Sequence, residues 1–550
     1  MSDDFGINFP QVEGGGRSST STGKAILAAS VADLDPDLAR RIAAVKNWRI
    51  EYPRHFEDVV RVEARSAQAA LDVARAGLDA ATALFVDVDA EGDHPARHCL
   101  QTPGELRTVA IHGTDAPVRE LTVPYHGDAL RGAALLRQLD AWVAAGITEP
   151  SFAEAVGAVI RNPDWLDLRG RTFALVGAAS QMGPYRRLMA WGATVAAIDR
   201  PRRAKWERLM QNARDGAGTV LVPVSDAHES RLQDQAYLAS VAGADITTQV
   251  GPIARWLHAM PGPITLGNYG YADSAGFVRL SMAFDLLLEE LTRGRQDLSV
   301  CYLATPADVF LVPVRAVDMA ERRHDGGERL ATVGRLVHAL SFGAYFRPNY
   351  PPDALIETPT NRYGLVNAFI LEQGQNYALA KRLQRWRMAL TRDAGILTSV
   401  HIAPPARTQS VLKNPLMRER QAINAHLGIE TFDPPTVDVL SAAILVHDLN
   451  NPASPANPAN PIGHPHEAFM FAANPGGRWR VPFELNSCIP LLSEMAWAQV
   501  QTQHAGRGLA TVSRAALLRL LRRGEPGPAG HVAQHPEQAD EGQGRPEPPP

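Results

Sequence analysis

The sequence predicts an α/β protein: a doubly wound parallel sheet, preceded by an N-terminal α/β cap and followed by a mostly helical C-terminal region. Three observations predict it. From about residue 170, short apolar runs alternate with helical stretches, the rhythm of parallel strands joined by right-handed crossovers. The run 172–176 (TFALV) is apolar almost throughout, as a strand buried on both faces should be. A glycine-containing turn follows it at once, and a carboxylate ends the next strand.

Composition narrows the function classes. The 550 residues exceed one ordinary core. A net charge of −4, from 55 basic and 59 acidic residues, gives no footprint for nucleic acid or an anionic membrane. Cys99, Cys301 and Cys488 are too far apart for a redox motif or disulfide framework and suit a reducing compartment. With no apolar span of membrane length and no signal-like start, a cytoplasmic protein is expected.

Residues 1–24 (with GGGRSSTSTG) and the Pro/Gly-rich tail 524–550 read as disordered. The cap, 25–165, has Ala-rich helices at 65–84 and 128–145 and strand-like pieces at 82–88, 107–111 and 119–124. The dinucleotide-binding-like region, 166–410, then runs through strands at 172–176, 194–198, 219–224, 244–250 and 263–267. Two strand–helix–strand units complete it: 263–306, with helix 277–293, and 363–403, with helix 377–393. In the region 411–505, helices are expected near 414–427, 436–449 and 488–501, the last two separated by a Pro-rich loop at 450–462.

The turn after the first of these strands reads Gly177-Ala-Ala-Ser180-Gln-Met-Gly183. Such a turn brings backbone N–H groups to a pyrophosphate and lets the chain approach it closely. Asp199 lies twenty-two residues after Gly177, at the end of the next strand, where a carboxylate can accept from both ribose hydroxyls of NAD. Arg200, beside it, with Arg202 and Arg203, could instead hold the 2′-phosphate of NADP. NAD is preferred; the plain alternative is a fold whose first turn binds nothing.

The helix near 377 carries Tyr377 and Lys381, four apart and so on one face. An ammonium one turn from a phenol stabilises the phenolate and moves the hydroxyl towards acid/base work near neutrality. The pairing is not a product of lysine abundance, because the 55 basic residues are 50 Arg and only 5 Lys. After strand 397–403 comes Pro404-Pro-Ala-Arg-Thr408. With the glycine turn and the Tyr-x-x-x-Lys helix, this run resembles the short-chain dehydrogenase/reductase family, a Rossmann-like NAD(P)-binding superfamily, over roughly 170–410 as a divergent member. The resemblance implies that Tyr377 handles a proton, that Lys381 is its partner, and that Thr408 meets the nicotinamide carboxamide.

The chain departs from that pattern in two ways. The family's catalytic Ser lies about a dozen residues before the Tyr, where Gly364 and Leu365 stand here; Asn367 and Asn376 are the nearby substitutes. The gap from Gly177 to Tyr377 is also too long. Either the chain carries an insertion, or the helix of the 263–306 unit is the family's catalytic helix, with Val278 and Met282 in place of Tyr and Lys. Tyr377 would then simply pack on Trp386 or a neighbour, with Lys381 solvated.

Weaker constellations are His447-Asp448 with His464, His466 and Glu467, to which no metal is assigned because such histidines more often satisfy carbonyls. Arg407, Ser410 and Lys413 flank Thr408, and Asp245 and Asn268-Tyr269 lie at strand ends. The expectation is an NAD(P)-dependent oxidoreductase acting on a small organic carbonyl, alcohol or activated alkene, with no nucleic-acid or membrane partner; a homo-oligomer is allowed. The alternatives are a dinucleotide-binding sensor or scaffold without redox turnover, and a lyase or isomerase using the same pocket.

Overall fold

The computed structural model describes residues 4–488, apart from 226–230, 360 and 414, and residue 492. At its centre is a seven-stranded sheet. Its strands in chain order are β1 (Leu106–His112), β2 (Thr172–Val176), β3 (Thr194–Ile198), β4 (Thr219–Ser225), β5 (Ile264–Asn268), β6 (Leu298–Ala304) and β7 (Thr398–Ile402), and across the sheet they run β7-β6-β5-β2-β3-β4-β1. All neighbours are parallel except β4 and β1. The chain starts this parallel set at β2, winds outward through β3 and β4, then returns to β5 on the other side of β2. At that reversal the crossovers after β2 and β5 go to opposite faces, the point at which such sheets take ligands in a crevice.

Two cores account for the two covered faces. Alternate residues of each strand point opposite ways: Ala174, Val176, Leu266, Val300 and Val400 enter one apolar cluster, and Phe173, Leu175, Val195, Val222 and Leu303 the other. The first face is covered by helices α1 (Trp48–Glu63), α2 (Ala275–Gly294) and α3 (Gly374–Asp393). The second carries the buried helix α4 (Pro434–Asn450), whose Pro pair opens it and which packs on β7. The mixed α/β architecture with a mostly parallel sheet is therefore as expected. Among the described residues no helix is long and apolar enough to cross a membrane.

Several expectations are corrected. Residues 6–8 pair with 86–88, and the helix Ser19–Val31 begins within the stretch read as disordered. Composition misled because few apolar groups suffice once they have a partner: Ile7 and Phe9 are buried, and the Ile7 and Phe5 carbonyls accept from Arg279. The strand at 107–111, assigned to a separate cap, is β1 of the main sheet. The expected strand at 244–250 is a turn leading into the helix Val250–His258, because the Asp245 carboxylate accepts from the amide and hydroxyl of Thr247 and so folds the backbone back on itself. The tail 524–550 and most of the helix expected at 488–501 lie outside the described residues.

The largest surprise is an insertion between β6 and α3. Strands Val309–Pro313, Arg362–Asn367 and Leu355–Glu357 form their own antiparallel sheet, and two helices, Val314–Asp325 and Arg329–Leu340, lie between the first strand and the other two. The strand expected at 363 therefore belongs to this sheet. The 263–306 unit, by contrast, is an ordinary part of the main sheet, and Val278 and Met282 are fully buried core residues of α2, which packs against α3.

Candidate functional site

The loops at the carboxyl ends of β2, β5, β6 and β7 bring most of the expected residues to one edge of the sheet. Gly177 leaves β2 with φ +77°, and its amide donates to Ile198 O at 2.9 Å. A Cβ there would lie 2.5 Å from the backbone of Gly270 in the loop after β5, so only glycine lets the two loops meet. Ser180 N donates to Gly177 O and Gly183 N to Ser180 O, which tightens the turn. Gly183 is less demanding, with its nearest would-be neighbour the Ser180 Cβ at 3.3 Å. The helix that follows is a short one, Tyr185–Ala190, so the polar character of this turn comes from its own amides.

Replacing Gly177 with Ala is expected to cost about 1–3 kcal/mol in urea unfolding, the scale of overpacking, and to push the two loops apart. An unchanged unfolding midpoint would show that the loops yield freely.

Asp199 sits as expected at the end of β3, with 9% of its surface exposed. One carboxylate oxygen accepts from Lys205 Nζ at 2.6 Å and from Arg200 N at 2.9 Å; the other accepts from Ala179 N in the glycine turn at 3.1 Å. Arg200 turns its guanidinium away, to Asp245 at 3.3 Å. Thr408 is buried, its hydroxyl 3.0 Å from that of Ser410, and the adjacent Gln409 N donates to the Gln181 side chain of the glycine turn at 2.8 Å. The loop after β7 is thus fastened to the loop after β2. At the end of β5 the buried Asn268 accepts from Gly270 N, while its Nδ2 has no partner among the described residues. Tyr269 is different: its ring lies in the second core and its hydroxyl donates to Cys301 Sγ, so it is a packing residue.

Tyr377 lies in the first turn of α3. Its ring lies 5.5 Å from that of Phe277, and the nearby Thr305 and Gln373 side chains favour the ionised phenol. Burial pushes the phenol up to about 12, and Thr305 and Gln373 only partly offset this. The expected shift towards neutrality is therefore not found. The reason is where Lys381 spends its donors. Its Nζ bonds Leu303 O at 2.9 Å and Gln384 Oε1 at 3.0 Å, one helical turn deeper than the phenol. Burial pulls this lysine down to about 7. It is not solvated, while Tyr377 does pack on a neighbour, Phe277, and the Trp386 indole N–H donates to Glu63.

Thr305 is the residue that sequence reasoning missed. It ends the run SVCYLAT, already read as a strand, but the insertion separates it from Tyr377 along the chain. The residues a dozen or so before Tyr377 lie elsewhere: Gly364 and Leu365 in the antiparallel sheet, and Asn367 bonded to Glu57. Asn376 donates to the hydroxyl of Ser274, a non-glycine residue at φ +48° at the start of α2, where backbone strain of this kind often marks a working site.

The histidines weighed for metal are already engaged. His447 is bonded to Asp448 and Asn451, His464 to Glu63 O, and His466 to Glu63 and Arg385. Comparison with known proteins gives neither a matching family model nor a matching curated protein.

Proposed function

We propose that the chain is an NAD(P)-dependent oxidoreductase of the short-chain dehydrogenase/reductase type, acting on a small organic carbonyl, alcohol or activated alkene. One observation carries the reading. In the parallel set, counted from β2, the strand order is 3-2-1-4-5-6, that of dinucleotide-binding sheets, and the glycine turn, Asp199, the Thr305–Tyr377 pair and Thr408 follow its successive carboxyl ends.

The residues fit the group they would hold. The amides of 177–183 suit a pyrophosphate, in a turn where any Cβ at Gly177 would collide, and the unpartnered Asn268 Nδ2 is a donor held in the same crevice. Asp199 would exchange Ala179 N and Lys205 for ribose hydroxyls, which favours NAD over NADP. Thr408 would meet the carboxamide. Bound NAD(P)H would supply the hydride. The chain's own part is then to polarise and protonate: Thr305 donates a hydrogen bond to the substrate oxygen, Tyr377 delivers its proton there, and Lys381 anchors the helix that carries the phenol to the Leu303 carbonyl.

Fluorescence titration with NADH and NADPH tests this. Binding is expected, with NADH tighter, and Asp199→Ala should weaken NADH by about 10–100-fold, the worth of a hydrogen bond to a charged group, while narrowing the preference over NADPH. Binding without turnover on a broad panel of carbonyls and alkenes would favour the sensor. No binding of either dinucleotide removes both readings.

A further inference from the structure

Away from the crevice, the small N-terminal sheet gathers two imidazoles and two carboxylates. The strands Val86–Val88 and Asp93–Pro95 form an antiparallel hairpin, with Asp87 opposite His94, and the 3-10 helix Ala96–Leu100 follows at once. This short excursion brings His98 back over His94, the rings stacked 4.2 Å apart at 22°. Asp89, in the hairpin turn, lies 3.0 Å from His94 Nε2. One ligand atom each from Asp89, His94 and His98 falls within 4.8 Å of the others.

We propose that Asp89, His94 and His98 form a binding site for a divalent transition-metal ion of the zinc class. The donor set, two neutral imidazoles and one carboxylate, is of the kind that zinc takes, with ligand bonds near 2.0–2.2 Å; small side-chain rotations close the three atoms onto one ion.

A fourth residue argues against two unrelated surface pairs. Asp87 is 4% exposed, and its carboxylate is held 3.0 Å from His98 Nδ1. A buried carboxylate on the far nitrogen fixes the ring and leaves Nε2 for an ion, the arrangement of outer-shell partners in metal sites. The hairpin is braced from outside by the Arg17–Asp93 ion pair. Asp89, His94 and His98 are each partly exposed, so water can fill the remaining coordination positions. The proposal is independent of the oxidoreductase reading, since none of these residues belongs to the crevice.

The test uses the full chain after treatment with a chelator. Titration with Zn2+ against a chromophoric competitor is expected to fill one site per chain, and Co2+ to give the visible bands of a four- or five-coordinate nitrogen–oxygen site. The double variant His94→Ala/His98→Ala should lose both signals, and Asp87→Asn should weaken binding by about 10–100-fold. Circular dichroism checks the fold. Should the double variant not fold, Asp89→Asn, in a turn, serves in its place and is expected to weaken Zn2+ binding and alter the Co2+ bands. The proposal is overturned if the parent binds neither ion, or if a folded variant, the double one or Asp89→Asn, retains the parent's stoichiometry, affinity and spectrum.

Discussion

Tyr377→Phe is expected to lower turnover by about 10²–10⁴-fold, the usual contribution of a positioned proton donor, while NADH binds as before. The phenyl ring keeps its contact with Phe277 and loses only the hydroxyl. With the phenol pushed up to about 12, the residue stays protonated across the physiological range and, on the proposed function, would donate in the direction of carbonyl reduction. Lys381→Met is expected to lower stability more than turnover, because its ammonium is spent on Leu303 O and Gln384 Oε1 and not on the phenol. Thr305→Val separates polarisation from proton delivery: turnover should fall while the pH profile keeps its shape. Full activity in Tyr377→Phe, measured by NADH consumption, removes the assigned chemistry and leaves the fold.

Arg382→Ala is expected to cost about 3–5 kcal/mol in urea unfolding, because it strands buried charge. Arg382 lies between Asp308 at 2.8 Å and Glu63 at 3.4 Å; Arg385 reaches Asp308 at 3.3 Å, and His466 Nε2 lies 2.9 Å from Glu63. All five are almost wholly buried. Burial alone would raise the Glu63 carboxyl, but the Arg382 charge and the His466 hydrogen bond outweigh it and hold the group well below the carboxylate range. Its stabilising contribution is present above the unfolded value of 4.5 and is lost as pH falls further. Burial pulls His466 down to about 3, so on acidification the unfolded chain takes up that proton from pH 6.5 downward while the folded chain does not. Both groups therefore erode stability in the same direction. Urea midpoints should fall steadily between pH 7 and 4 in the parent and less steeply in His466→Gln. An unchanged midpoint in Arg382→Ala would mean the network contributes nothing net.

What the sequence revealed and what it hid divide along physical lines. β2, β3 and β6 were legible because strands buried on both faces must be nearly continuous apolar runs. The Tyr377–Lys381 pair was legible because helical spacing alone puts both on one face. Thr305 was hidden because its proximity to Tyr377 is made by the sheet and not by the chain. The place of β1 was hidden for the same reason: its partner, β4, is about a hundred residues away. Asp245 misled by composition, since a β-prone run (ITTQV) follows a side chain that captures the backbone locally.

The insertion has one further consequence. Its first residue after β6 and its last before α3, Thr305 and Gln373, both favour ionisation of the same phenol. A detour that departs and re-enters at one point can be lengthened, shortened or exchanged while the reacting atoms stay where they are. Such a chain can diversify what it accepts without disturbing how it reacts. That freedom is limited by the segment's links to the rest of the chain, among them the Asp308–Arg382 ion pair and the Asn367–Glu57 hydrogen bond, which any replacement segment would have to carry over.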